Sequence, residues 1–181
     1  ILPIVDKQSG QLTHNDLTIS LSDEKALTME QGLADTLDSS SAVHSWGAFY
    51  TKSTTLYNEE GGSADVSIVG AEDDARMTEY FTFRTRVGHD PIPFEEDSVI
   101  LTEKTALNLE LSVGDTFYVE AADGSRVPLV LTGITENYMF TRLYLSNAQL
   151  ESLLGGTPEW NTVYGLTGCA TEAEYNALRT K

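Results

Sequence analysis

The run Leu109-Glu110-Leu111-Ser112-Val113-Gly114-Asp115-Thr116, and behind it Leu129-Val130-Leu131-Thr132-Gly133-Ile134-Thr135-Glu136-Asn137-Tyr138, decide how this chain is read. Gly114-Asp115 interrupts an apolar stretch and turns the chain into the β-formers Thr116-Phe117-Tyr118-Val119. Asp123-Gly124 then stands between two β-forming runs. That predicts a hairpin with a type I′ turn, which needs positive φ at both central positions. A single strand is predicted over 127–134. Pro128 cannot donate a ladder hydrogen bond, so this strand belongs at an edge or a bulge. Upstream, Val99-Ile100-Leu101 reads as a short buried strand. Thr102 then caps a helix that carries Ala106, Leu107 and Leu111.

Towards the N-terminus, Leu17-Thr18-Ile19-Ser20-Leu21 alternates apolar and polar residues like a half-buried strand. Ser22 can cap a helix with Asp23 and Glu24 in its first turn and Ala26, Met29, Leu33 and Leu37 on one face. The serines at 39–41 end it. Residues 42–58 read as one or two strands, 58–63 as a turn around Gly61-Gly62, and Val66, Ile68 and Val69 as a strand ended by Gly70. Residues 72–83 allow a short helix or an irregular connection. Towards the C-terminus, Leu143-Tyr144-Leu145 is a short strand. Ser146 with Gln149 forms a capping box for a helix that carries Leu150, Leu153 and Leu154 and stops at Gly155-Gly156. Thr162-Val163-Tyr164-Gly165-Leu166 is a last strand, and Thr171 caps a last helix with Ala173, Tyr175 and Leu178. Strands and helices mix without regular βα alternation, so the fold class is α+β.

Composition narrows the function. The chain has 181 residues, enough for one domain or two small lobes. Its 28 acidic and 11 basic residues give a net charge of −17. Nucleic acid is a poor partner for such a chain, and an anionic membrane surface repels it as a whole. The bland reading of the acidity is solubility. Cys169 is the single cysteine, so no internal disulfide forms. No apolar run approaches the ~18 residues of a membrane span, and no signal peptide is visible. The sequence starts at Ile1-Leu2-Pro3 and stops inside a helical pattern at Arg179-Thr180-Lys181, so it is expected to be a piece of a longer chain.

A search for chemistry assigns no catalytic, cofactor-binding or metal residue. His14, His44 and His89 lack the close spacing of metal ligands, and His89-Asp90 reads as a surface loop. Glu72-Asp73-Asp74 lacks the alternating acids and central Gly of a calcium loop and reads as a helix start or a solvated face. Cys169 has no positioned partner, Gly61-Gly62 has no following Lys-Ser/Thr, and no Gly-x-Ser-x-Gly elbow occurs. Leu166-Thr167-Gly168-Cys169 imitates a lipoprotein cleavage box, but no apolar signal region precedes it.

The motifs in order resemble the extracytoplasmic domain of FtsX-like and MacB-like ABC transporter permeases. Val66-Ser67-Ile68-Val69-Gly70 looks like that family's strand ending in Gly, and 97–106 like its strand followed by Thr-Glu-x-x-Ala. Residues 109–116 match its Leu-x-Leu-x-Val-Gly-Asp-Thr run, and 129–138 its apolar strand, Gly-Ile and Glu-Asn-Tyr. Tyr144-Leu145-Ser146, a helix and Gly155 match the next element. The resemblance covers about half of the sequence, and 84–93 departs from the family's Gly-Arg loop.

The resemblance implies a domain between the first two membrane helices, on the extracytoplasmic face of the bacterial cell membrane. It implies two lobes: a strand-helix-strand lobe of 1–60 with 141–181, and an inserted β-rich lobe of 61–140. The matched residues are structural, with Gly114 and Gly133 at turns and strand ends and Leu111, Val113 and Ile134 in the core. Leu17–Leu21 and Thr162–Leu166 are expected in one sheet. The implied role is non-catalytic: coupling ATP-driven helix motion to export, gating or sensing of a peptide, lipid or lipoprotein. The implied partners are a cytoplasmic ABC ATPase reached through the membrane helices, a second permease copy and an extracytoplasmic protein. No cofactor is implied. A free-standing secreted binding module and a hydrolase with an unrecognised site are the competing readings; the latter requires a deep pocket with converging groups.

Overall fold

The computed structural model describes residues 8–20 and 32–168. Among them, nine strands form one sheet: β1 (Leu17–Ser20), β2 (Val43–Tyr57), β3 (Ser63–Ala71), β4 (Val99–Thr102), β5 (Thr116–Glu120), β6 (Arg126–Val130), β7 (Gly133–Thr135), β8 (Arg142–Leu145) and β9 (Thr162–Thr167). The order is β1-β9-β2-β3-β8-β4-β7, and β5 leaves that path to pair with the end of β2 and with β6. The helices are α1 (Gly32–Ser39), α2 (Asp74–Tyr80), α3 (Glu103–Asn108) and α4 (Asn147–Leu154). A single wide helical turn covers Gln8–Leu12. The class is α+β, as expected. No helix among the described residues is long and apolar enough to cross a membrane.

The 15-residue strand β2 is the spine. Its first half pairs with β9, down to Phe49 opposite Thr162, and its second half with β3, up to Tyr57 opposite Ser63. Leu17 stands opposite Gly165, so β1 and β9 share a sheet as predicted. The central strands are apolar at successive positions because both faces are covered. Tyr50, Ile68, Leu101, Leu143 and Leu145 point into one core with Leu109, Phe117 and Leu150. Their neighbours Phe49, Val69, Ile100 and Tyr144 point into a second core with Met77, Tyr80, Phe81 and Phe83. That second core is aromatic: the Phe49 ring meets Tyr80, Phe81 and Tyr164 edge-on at 5.6, 6.0 and 4.8 Å. Each such pair contributes about 0.5–1.5 kcal/mol beyond burial.

Several local expectations are corrected. The hairpin between β5 and β6 exists, but its turn is not type I′. The Gly124 N–H donates to the Ala121 carbonyl at 2.9 Å, and Gly124 alone in the turn has positive φ, at 79°. The Asp123 carboxylate accepts from the Ser125 N–H and O–H, which stabilises a longer loop instead. The strand expected over 127–134 breaks in two. β6 pairs only with β5, leaving Pro128 on an edge strand, whereas β7 turns to run parallel to β4. The helix after Thr102 stops at Asn108 and never reaches Leu111. Glu110 takes φ 54°, and Asn58 Nδ2 donates to the Leu109 carbonyl at 3.0 Å. The Thr102 hydroxyl caps nothing; it meets the Thr105 hydroxyl and accepts from the Arg142 N–H. Val113 is 60% exposed rather than core, because the Gly114 turn swings it outward. The strand of Val66 runs past Gly70 to Ala71.

Other readings hold. Residues 74–80 are helical, and the Asp73 carboxylate accepts from the Ala75 N–H at the helix start. The Ser146 hydroxyl accepts from the Gln149 N–H, and Gly155 closes α4 in the left-handed conformation. The Ser22 cap, the Thr171 helix and Cys169 lie outside the described residues.

Candidate functional site

Three segments distant in sequence meet where β4 and β7 end and β8 begins. Thr102 and Thr135 are register partners, and the Arg142 N–H donates to the Thr102 hydroxyl at 3.2 Å. The next residue, Glu136, is buried. Its N–H donates to the Arg84 carbonyl at 2.8 Å, and its carboxylate accepts from Arg84 Nε at 2.8 Å. The Tyr138 hydroxyl donates to the same carboxylate, and His89 Nε2 stands 3.9 Å away. Arg84 Nη2 also donates to Gln11 Oε1, while buried Gln8 accepts the Tyr138 N–H through Oε1 at 3.0 Å. One carboxylate thus ties the Gln8–Leu12 turn, the loop after α2 and the loop after β7 into one body.

The loop after β7 is shaped by Asn137, whose Oδ1 accepts from the Met139 and Phe140 N–H groups at 3.1 and 2.8 Å. This turn presents Tyr138, Met139 and Phe140 outward. Behind them the Arg142 guanidinium lies 4.2 Å from the Phe140 ring centroid and 5.5 Å from that of Phe81. Burial raises the pKa of the Tyr144 hydroxyl beneath, and Arg142 lowers it in part. Arg142 Nη1 is buried with no hydrogen-bond acceptor.

Two solved structures similar to this chain are extracytoplasmic transporter domains. The extracellular domain of the noncanonic ABC-type transporter YknZ from Gram-positive bacteria superposes with a TM-score of 0.52, at 18% identity over 89% of this chain and 86% of that one. The periplasmic region of MacB from Actinobacillus actinomycetemcomitans gives 0.52, at 13% identity over 97% of this chain and 86% of that one. This chain has the fold of those extracytoplasmic transporter domains. No family model and no curated protein matches the sequence.

Within this transporter-domain fold the three histidines are dispersed, as the sequence suggests. His14 Nε2 pairs with the Thr82 hydroxyl at 2.7 Å. His89, in a surface loop at φ 57°, faces Glu136. His44 lines a cleft of about 630 Å³ between α1, β2 and the start of α2, with Asp38, Ser45, Trp46, Asp73 and Arg76. The Ser45 hydroxyl there is held by the Glu79 carboxylate at 2.8 Å and the Tyr80 hydroxyl at 2.9 Å, an arrangement that anchors α2 on β2. The sequence reading drew attention to Glu136-Asn137-Tyr138 but missed Arg84. The one available signal was that Arg84 opens the stretch that departs from the family pattern, and nothing local links it to a carboxylate 52 residues on.

Proposed function

We propose that this chain is a non-catalytic extracytoplasmic domain of an FtsX/MacB-type ABC transporter permease. In this reading it couples the motion of membrane helices, driven by a cytoplasmic ATPase, to export, gating or sensing of a peptide, lipid or lipoprotein. The observation that carries the reading is the superposition on an extracellular transporter domain over 89% of the chain. The ordered sequence motifs point the same way independently. A second permease copy and an extracytoplasmic protein are the expected partners.

The division into a lobe of 1–60 with 141–181 and an inserted lobe of 61–140 belongs to this proposal. Its support is β2, which pairs with β9 through one half and with β3 and β5 through the other. A long strand shared between two packed regions can carry tilt from one to the other. The Arg84–Glu136 network also reaches Gln8 and Gln11, so it fastens the insertion to the termini-bearing lobe at this point.

The test is to isolate the native gene product from detergent-solubilised membranes and follow ATP hydrolysis. Co-purification of an ATPase subunit, with altered turnover when this domain is deleted, is the expected result. A native product found free of membranes would overturn the reading and favour a secreted binding module.

A further inference from the structure

The sheet end that holds Glu136 is unlike the rest of this acidic chain. Met139 is 54% exposed, Phe140 41%, and Val87 on the adjoining loop 80%. The same elements carry Arg84, Arg86, Lys104 and Arg142 beside acids at 90, 95–97, 103 and 136. Two of these cations are answered: Arg84 by Glu136 and Arg86 by Glu103, each at 2.8 Å. Arg142 forms no ion pair among the described residues. It rests instead under the Phe140 ring, its Nη1 buried without an acceptor. Of the described arginines, Arg76, Arg84 and Arg86 meet carboxylates, whereas Arg126 stacks on Tyr57 and Arg142 on Phe140; Arg142 alone of these two has a buried guanidinium nitrogen without an acceptor.

We propose that the Tyr138-Met139-Phe140 loop docks on an anionic phospholipid surface. Its apolar side chains enter the headgroup layer, and Arg142 meets a lipid phosphate. Moving Phe140 into the lipid uncovers the guanidinium and supplies the acceptor that Nη1 lacks. Three consecutive apolar side chains on one tight loop suit shallow insertion. They are too few for a specific protein interface, which buries about 800 Å² per partner. The proposal rests on the permease reading, in which the chain ahead of Gln8 comes from a membrane helix. The hydrogen bond from the Tyr138 N–H to Gln8 then holds the loop on the membrane side. The overall charge opposes approach, but a tethered domain needs only a weak local contact.

Vesicle co-sedimentation of this 181-residue chain tests the idea at low salt, with phosphatidylglycerol-rich vesicles beside pure phosphatidylcholine. Binding is expected to the first and to be much weaker with the second. Arg142→Gln should weaken it roughly fivefold, the effect of one basic residue at an anionic surface. The double variant Met139→Ser/Phe140→Ser should weaken it at least as much. Val113→Ser, at an exposed apolar site elsewhere, should leave it unchanged. Near-UV circular dichroism shows that each variant is folded, and the exposed double variant keeps the test open if Arg142→Gln misfolds. No binding to the anionic vesicles, or equal binding by the double variant, overturns the proposal. Lipid-free self-association that disappears in the double variant would also overturn it, by making the loop a protein interface. These outcomes are read on the chain alone, so they stay separate from co-purification of an ATPase.

Discussion

Arg84 Nε meets the Glu136 carboxylate at 2.8 Å, with the Glu136 side chain closed to solvent and that of Arg84 17% exposed. Removing one member of such a pair strands the other charge in a poorly solvated site, which costs more than the pair itself contributes. Glu136→Gln should therefore lower stability by about 2–4 kcal/mol in urea unfolding. The double variant Arg84→Met/Glu136→Leu should recover much of that loss. A loss in the double variant equal to the sum of the losses in Arg84→Met and Glu136→Leu alone would show that the charges are not coupled.

Gly70 is needed for space, not for backbone freedom. A Cβ there would stand 2.8 Å from Leu150 Cδ2 and 3.2 Å from the Leu145 carbonyl oxygen. The leucine tip can yield, but the strand carbonyl cannot. Gly70→Ala should cost about 1–3 kcal/mol by overpacking between β3 and α4. Gly156→Ala, with nothing within 4 Å, is the matched control and should be nearly neutral. Similar thermal midpoints for the two variants would refute the packing argument.

Ser146 serves two groups at once. Its hydroxyl donates to the Glu96 carbonyl at 2.6 Å and accepts from the Gln149 N–H at 3.3 Å. Ser146→Ala should cost about 1–2 kcal/mol, while Ser146→Thr should retain part of the cap. The readout is the denaturant midpoint at unchanged m-value. A loss below a few tenths of a kcal/mol would mean that water replaces the hydroxyl at both groups.

Burial raises the hydroxyl pKa values of Tyr80, Tyr144 and Tyr164 above the ordinary 10.0. Above pH 10 the unfolded chain sheds these protons while the folded chain keeps them, so the folded state binds more. Stability is then complete below about pH 10 and falls as pH rises through the folded values. Absorbance of tyrosinate, followed beside near-UV circular dichroism, should show these three tyrosines ionising only as the fold is lost. Full ionisation with the dichroism intact would contradict their burial.

Much of the layout was legible because it is local. Hydrophobic alternation marks β1, β-forming runs mark β3 and β9, the Ser146 cap marks α4, and Pro128 forces β6 to an edge. Errors arose where a tertiary contact overrode a local preference. Val127 to Ile134 has one continuous β-forming character, yet Val99 and Thr132 redirect it: the Thr132 hydroxyl accepts from the Val99 N–H, and the Thr132 N–H donates to the Val99 carbonyl. Val113 looks like core in the linear pattern, but the turn at Gly114 decides its direction.

By itself the sequence determined the α+β class, most strand positions and the resemblance to a transporter domain, because hydrophobic period, caps and turn residues act over a few neighbours. Only the tertiary structure decided that β7 lies parallel to β4 and that Arg84 answers Glu136. It also decided that Arg142 packs on the Phe81 and Phe140 rings beside the Tyr144 hydroxyl. Those outcomes depend on which distant segments share one sheet end. A charge carries no label for its partner until folding removes the water that would otherwise solvate it.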